Sequence, residues 1–357
     1  MTAFLRPELL SAASYHLEAI APELIKLDAN ECPYDLPPDF KQKLSEIVRR
    51  DLASQLYPDG IYQGLKQALS DYTGCPPDHI SLGNGSDELI RSLLLIAGLG
   101  RGSILTADPT FSMYGILAQT LGIGVYRLGR DRHWQTDLDK AQAVIERENI
   151  AAVFAVHPNS PTGNLLTAEE ITWLKSLPQH ILVVIDEAYY EFSGCSLIGE
   201  INNFPNWVIL RTFSKGLRLA AYRIGYAIAN PVIINALEKV RLPYNLPTIS
   251  ARAAQLVLEH RGELLASIPE LLEGREELYQ GLINSGVRAW QSAANFVFCQ
   301  TGDDLAVAQQ LRSQGVLIRH TGGGLRISVG SPQQMTKFWQ AWHQAAGGKY
   351  AGELGKS

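Results

Sequence analysis

Residues 207–216 read Trp207-Val208-Ile209-Leu210-Arg211-Thr212-Phe213-Ser214-Lys215-Gly216. A short apolar run passes directly into a polar turn. Such runs fit strands buried on both faces, as in a parallel sheet covered by helices. Three more stand nearby: Ile150 to His157, Ile181 to Ile185 (which ends in Asp186-Glu187) and Ile224 to Ala229. Between the first two of these lies Thr167 to Leu177, which opens with the capping-box pair Thr167 and Glu170 and is closed by Leu177-Pro178. Strand, helix, strand in this order predicts right-handed crossovers and a doubly wound, mostly parallel α/β sheet. Ligands of such sheets sit beyond the carboxyl ends of the strands, so the polar residues just after these runs are the ones to weigh.

The last third reads differently. Glu263 to Asn284 has a helical period and stops at Ser285-Gly286. Phe296 to Cys299 and Val316 to Ile318 read as short strands around a helix, Leu305 to Gln314, that Gly315 closes. Gln333 to Ala346 places Met335, Phe338, Trp339 and Trp342 on one helix face, the pattern of core packing. A smaller α+β domain is expected here, with a frayed tail over Gly347 to Ser357.

Composition narrows the function. The chain has 357 residues, 46% hydrophobic and 19% charged, which is enough apolar material for a sizeable core. The formal net charge of −5 and the lack of a strongly basic run argue against nucleic-acid binding. The longest strictly apolar stretch, Ile150 to Val156, is far short of a membrane span, and the opening residues lack a signal-peptide core. Cys32, Cys75, Cys195 and Cys299 are far apart, and no HExxH occurs, so neither a disulfide framework nor a metal site is expected. The expectation is a soluble, cytoplasmic α/β enzyme.

Four segments carry chemistry. In the first, Lys215 follows a buried strand and so lies near the floor of the expected cleft. Desolvation there lowers an amine's pKa, which suits Schiff-base chemistry and proton shuttling. Thr212, Ser214 and Arg223 nearby suit a phosphate; a surface loop lysine is the plain alternative. The second is Asp186-Glu187-Ala188-Tyr189, whose carboxylates suit a cationic partner in the cleft or a buried structural ion pair. The third is Gly83-Asn84-Gly85-Ser86-Asp87-Glu88 before an apolar helix, which is either an anion site or a simple capped turn. The fourth, His157-Pro158-Asn159-Ser160-Pro161-Thr162-Gly163-Asn164, is a rigid turn by composition.

Together these segments resemble the pyridoxal-phosphate aminotransferases of the aspartate-aminotransferase fold. The resemblance runs from Leu27-Asp28-Ala29-Asn30-Glu31 to Leu325-Arg326-Ile327-Ser328-Val329-Gly330. The opening segment, Leu242-Pro243-Tyr244-Asn245-Leu246 and Val316-Leu317-Ile318-Arg319-His320 are similar to the histidinol-phosphate branch. The resemblance implies pyridoxal 5'-phosphate as cofactor, a large cofactor-binding domain over residues 46–244, and an arm plus small domain made of 1–45 and 245–357.

The resemblance also implies roles. Lys215 carries the cofactor and moves the substrate proton, Asp186 faces the pyridine nitrogen, and Tyr189 bonds the ring hydroxyl oxygen. Phe111 stacks on the ring. Ser86, Asp87, Thr212, Ser214 and Arg223 hold the phosphate, joined by Tyr57 from the second subunit of a homodimer. Most relatives have Asn before the Pro-Thr-Gly. This chain has Ser160 there, with Asn159 preceding it, so both stand as cofactor contacts. Arg326, Arg319, Tyr15 and Asn30 are the implied substrate contacts. The implied reaction passes an amino group between L-histidinol phosphate and 2-oxoglutarate in L-histidine biosynthesis. Rivals on the same fold are a threonine-phosphate decarboxylase, a broad aromatic aminotransferase, and a non-catalytic regulator. The regulator is disfavoured because the roughly 80 residues before the phosphate turn do not read as a DNA-binding domain.

Overall fold

The computed structural model describes Arg6, Leu9 and residues 23–345. The expected Tyr15 contact and the expected frayed tail lie outside the described residues. Twelve strands are described. A short β1 (Ile25–Leu27) is followed by β2 (Ile80–Asn84), β3 (Ser103–Asp108), β4 (Val125–Gly129), β5 (Ile150–Val156), β6 (Leu182–Asp186), β7 (Trp207–Thr212) and β8 (Ile224–Ala229). The remainder are β9 (Arg288–Trp290), β10 (Phe296–Gln300), β11 (Val316–Thr321) and β12 (Gly324–Ser328). The larger sheet has the order β2-β8-β7-β6-β5-β3-β4. Its pairs are parallel except those of β8, which is antiparallel to both neighbours. The sheet is thus mostly parallel, as expected. Helix Ala168–Ser176 joins β5 to β6 and carries the expected capping box between Thr167 and Glu170.

The continuous apolar runs are explained by the two cores they divide between. β6 sends Val183 and Ile185 into one buried cluster and Leu182 and Val184 into the other. β7 does the same with Ile209 against Val208 and Leu210, and β8 with Tyr226 and Ile228 against Ala227 and Ala229. Successive side chains of a strand point to opposite faces, so both faces must be apolar where both are covered. Each fully buried Val, Leu or Ile stabilises by roughly 1.5–3 kcal/mol before entropy is counted. This parity extends past the strand ends and decides which residues reach the cleft.

The second sheet has the order β1-β11-β12-β10-β9, antiparallel except for the β1–β11 pair. Phe338 and Trp342 of helix Pro332–Ala345 are buried in its core, with Met335 and Trp339 packed at the edge. The expected single helix from Glu263 to Asn284 is instead two, Arg261–Leu265 and Ile268–Asn284. Pro269 explains the break: it lacks an N–H and its ring clashes with the carbonyl four residues back, so it is tolerated only in the first turn of a new helix. The core of the larger sheet takes in Leu36, Phe40 and Leu44 before residue 46, and Leu246 to Leu264 after residue 244. We therefore propose that the two layers part near residues 35 and 266, outside the expected boundaries. The chain from Leu27, buried in the small core, to Leu36, buried in the large one, crosses between them.

Candidate active site

A cleft of about 640 Å³ opens between the layers, at the carboxyl ends of β6 and β7 and the start of helix Gly85–Leu93. Its wall includes Ser86, Asp87, Phe111, Ser160, Asp186, Tyr189, Thr212, Ser214, Lys215, Arg223 and Arg326. Strand parity selects them. Asp186 and Thr212 continue the face of Val184 and Leu210, towards the cleft. Glu187 and Arg211 continue the opposite face, where they form a buried ion pair of 2.9 Å. Glu187 thus forms the buried structural ion pair, and Asp186 is the carboxylate that reaches the cleft. Removing one partner of such a buried pair costs about 3–5 kcal/mol.

Asp186 is 4% exposed. Its Oδ2 accepts from the Tyr114 hydroxyl at 2.6 Å and its Oδ1 from the Ala188 N–H at 3.0 Å. Burial pushes its pKa up to about 6, partly offset by these bonds. Lys215 sits in a turn anchored by the fully buried Phe213, Leu217 and Leu219. Its Nζ donates to the Ala29 carbonyl at 2.6 Å. Desolvation, reinforced by the Arg326 charge, brings its pKa down to about 8. An acid raised and a base lowered in one cleft mark a site tuned for proton chemistry.

At the other end, Gly85, Ser86 and Asp87 begin the helix, with Gly85 at φ +73°. Arg223 donates to Ser214 Oγ and to Asp87 Oδ2, each at 3.4 Å. Thr212 Oγ1 donates to Ser214 Oγ at 3.0 Å. A Cβ on Gly225 would lie 2.5 Å from the Ser86 nitrogen. β8 therefore approaches the helix start as closely as glycine alone permits, and backbone N–H groups, hydroxyls and a guanidinium converge as an anion cradle.

Tyr189 packs edge-on against Phe296 and accepts from Asn30 Nδ2 at 2.9 Å. Asn30 is buried at φ 54°, held by Ser328 Oγ on its N–H and by Asn295 Nδ2 on its carbonyl. Arg326 reaches the Asp28 carbonyl at 2.5 Å and Ser160 Oγ at 2.9 Å. Arg319 is directly opposite Arg326 in the ladder and is not part of the cleft wall.

Besides Arg319, and Asn30 behind Tyr189, two further expected residues lie off the cleft wall. Asn159 is fully buried and ties its own turn to the loop after β3, where it accepts from Thr110 and donates to the Pro109 carbonyl, while also donating to Thr162. Its amide is consumed in holding the turn, and Ser160 alone faces the cleft. Tyr57 is 80% exposed and stacks on Tyr244 at 4.7 Å, away from this chain's cleft wall. Sequence reasoning missed Tyr114, Glu31 and the Ala29 carbonyl. Tyr114 lies one helical turn beyond Phe111, a spacing that was available to read; a backbone carbonyl leaves no signal.

The family described as aminotransferase class I and II matches residues 22–341. A histidinol-phosphate aminotransferase of Trichodesmium erythraeum is 51% identical over 339 residues, covering 87% of this chain and 90% of that protein. One from Thermosynechococcus vestitus is 49% identical over 357 residues, covering 95% and 96%. Among solved structures, a histidinol-phosphate aminotransferase from Sinorhizobium meliloti in complex with pyridoxal-5'-phosphate aligns with a TM-score of 0.85, 24% identity and coverage of 96% of this chain and 98% of that one.

Proposed function

The chain belongs to the class I and II aminotransferases, in their histidinol-phosphate branch, and we propose that it exchanges an amino group between L-histidinol phosphate and 2-oxoglutarate, giving imidazole acetol phosphate and L-glutamate. The product line is L-histidine biosynthesis. The observation that carries the reading is the placement of Lys215, Asp186 and Arg326 on the wall of one cleft.

The cofactor is pyridoxal 5'-phosphate, and the residues present fit it. The cradle at Gly85, Ser86 and Gly225 suits a phosphate, and the buried Asp186 carboxyl calls for a proton or cation beside it. Lys215 would hold the aldehyde, Asp186 the ring nitrogen, Tyr189 and Ser160 the ring hydroxyl side, and Phe111 a ring face. Ser86, Asp87, Thr212, Ser214 and Arg223 would hold the phosphate. When bound, the group supplies an electron sink for the carbon that bears the amine.

The chain's own residues do the rest. Tyr114 and the Ala188 N–H fix the Asp186 carboxylate, so its charge is aimed without reorganisation. Lys215, brought near neutrality by burial, takes and returns the proton at the substrate Cα. Arg326 forks onto the substrate's oxyanion, the phosphate of one substrate or the α-carboxylate of the other. Arg319 stands directly opposite Arg326 in the ladder and is taken as the second arginine over the substrate phosphate. Tyr57, exposed with Leu56, Ile61, Leu242 and Tyr244, belongs to an apolar surface suited to a second copy of the chain. We take that copy to receive Tyr57 at its own phosphate. The working unit is then a homodimer, placed in the cytoplasm; no described helix is long and apolar enough to cross a membrane.

Two measurements follow. Gly225→Ala drives a Cβ into the Ser86 nitrogen while β8 is pinned between β2 and β7. Cofactor affinity is expected to fall roughly 10- to 100-fold, as about 1–3 kcal/mol of overpacking implies. Equilibrium dialysis reads it, and unchanged affinity would remove the cradle assignment. In a half-reaction titration, histidinol phosphate, threonine phosphate and phenylalanine are each added to the holoenzyme without acceptor. Rapid bleaching of the visible band by histidinol phosphate alone is expected. Carbon dioxide release from threonine phosphate would overturn the reading.

A further inference from the structure

Among the described residues, three carboxylates face the cleft: Asp87, Asp186 and Glu31. Arg223 holds Asp87 at the anion cradle, and Tyr114 with the Ala188 N–H holds Asp186. Glu31 is the one left on the substrate side. Its backbone is firmly placed. Asn30, at φ 54°, bends the chain and is clamped by Ser328 and Asn295, while the carbonyl of Ala29 accepts from the Lys215 amine. Glu31 is thus two residues from the atom that holds the reactive lysine. Its carboxylate meets Lys26 Nζ at 2.5 Å.

The fold does not need this pair. At 30% and 40% side-chain exposure it contributes at most about 1 kcal/mol to stability. The site has a use for it. Histidinol phosphate brings a phosphate, which the Arg326 side suits, an amine, which would displace Lys215 from the cofactor aldehyde, and an imidazole, which needs an acceptor for its N–H. A carboxylate is the strongest acceptor a side chain offers. A lone carboxylate would also repel glutamate, the second substrate. The Lys26 ammonium, which also lies 4.0 Å from Asp28, offsets the Glu31 charge and adds a donor for the other side chain.

Resting on the function proposed above, we propose that Glu31, oriented by Lys26, accepts the imidazole N–H of the amino donor and determines the enzyme's choice of it. The test is the rate of visible-band bleaching in single half-reactions of holoenzyme, for wild type, Glu31→Gln and Glu31→Ala. The substrates are histidinol phosphate, phenylalaninol phosphate (a phenyl ring in place of the imidazole) and glutamate. With Glu31→Ala, efficiency with histidinol phosphate is expected to fall roughly 10- to 100-fold, the range of a hydrogen bond to a charged group. Phenylalaninol phosphate should change less than about threefold, and glutamate should be unchanged or improved because a negative charge is removed from its path. Glu31→Gln keeps an amide oxygen and should fall between. Equal losses on all three substrates, or no loss on any, would overturn the inference. The intact visible band and glutamate half-reaction report that each variant is folded. A wild type that histidinol phosphate fails to bleach is a different result: it removes the functional reading itself.

Discussion

Lys215→Ala is expected to lose the visible absorption band of the holoenzyme and to lower turnover by at least about 10⁴-fold, the upper range for one positioned acid–base group. The amine is unusual before any ligand arrives. Desolvation, and then the neighbouring Arg326 charge, bring its pKa from 10.5 to about 8. Near pH 7 that leaves roughly several hundredfold more neutral amine than an exposed lysine would have. The fold therefore disfavours the charged form. That penalty is present in full below about pH 8, and it fades as pH rises to 10.5, where the unfolded chain loses its proton as well. Compared without cofactor, removing the amine should leave the melting temperature at pH 7 unchanged or higher. Lost colour with an intact melt separates lost chemistry from lost structure. A variant that kept the band would place the cofactor on another residue.

The fold was legible where one physical signal dominated. Continuous apolar runs marked β5 to β8, because both faces of those strands are covered and their polar residues are confined to the strand ends, where each has a partner or meets the cleft. The carboxyl ends of β5, β6 and β7 then located the site, while the antiparallel β8 meets it at its start, beside Arg223. Composition could not say which of two adjacent polar residues turns to the cleft. Asp186 and Glu187 are both buried carboxylates; only the register of β6 sends one to the cleft and the other to Arg211. Asn159 and Ser160 pose the same choice, and the turn consumes the asparagine while the serine meets Arg326. Glu31 was hidden for another reason. Its place depends on a left-handed Asn30, and on clamps about 265 and 298 residues away that no local pattern reveals. Within one chain Tyr57 is an exposed ring stacked on Tyr244, so the part proposed for it at a second copy leaves no contact to read here.

Asp186→Asn sets function against stability. The side chain is nearly isosteric and keeps an oxygen for one of its two donors, while its amide meets the Tyr114 oxygen once that hydroxyl turns. What it removes is charge. The folded chain binds the Asp186 proton more tightly, at about 6, than the ordinary 3.8. Between those pH values the folded state carries more protons than the unfolded one, so stability falls as pH rises through that window. Above about pH 6 the whole penalty is present, since each tenfold change in proton affinity is worth about 1.4 kcal/mol. The cofactor-free variant should therefore melt higher than the cofactor-free wild type at pH 7.5, and the difference should vanish below pH 3.8. Turnover should move the other way, down about 10²–10³-fold, the scale for removing one preorganised electrostatic partner. Added cofactor should raise the melting temperature of the wild type more than that of the variant, because only the wild type has a buried anion for the cofactor to neutralise. A variant that is less stable at pH 7.5 and still active would mean that Asp186 is a structural residue, and the role proposed for it at the ring nitrogen would fall.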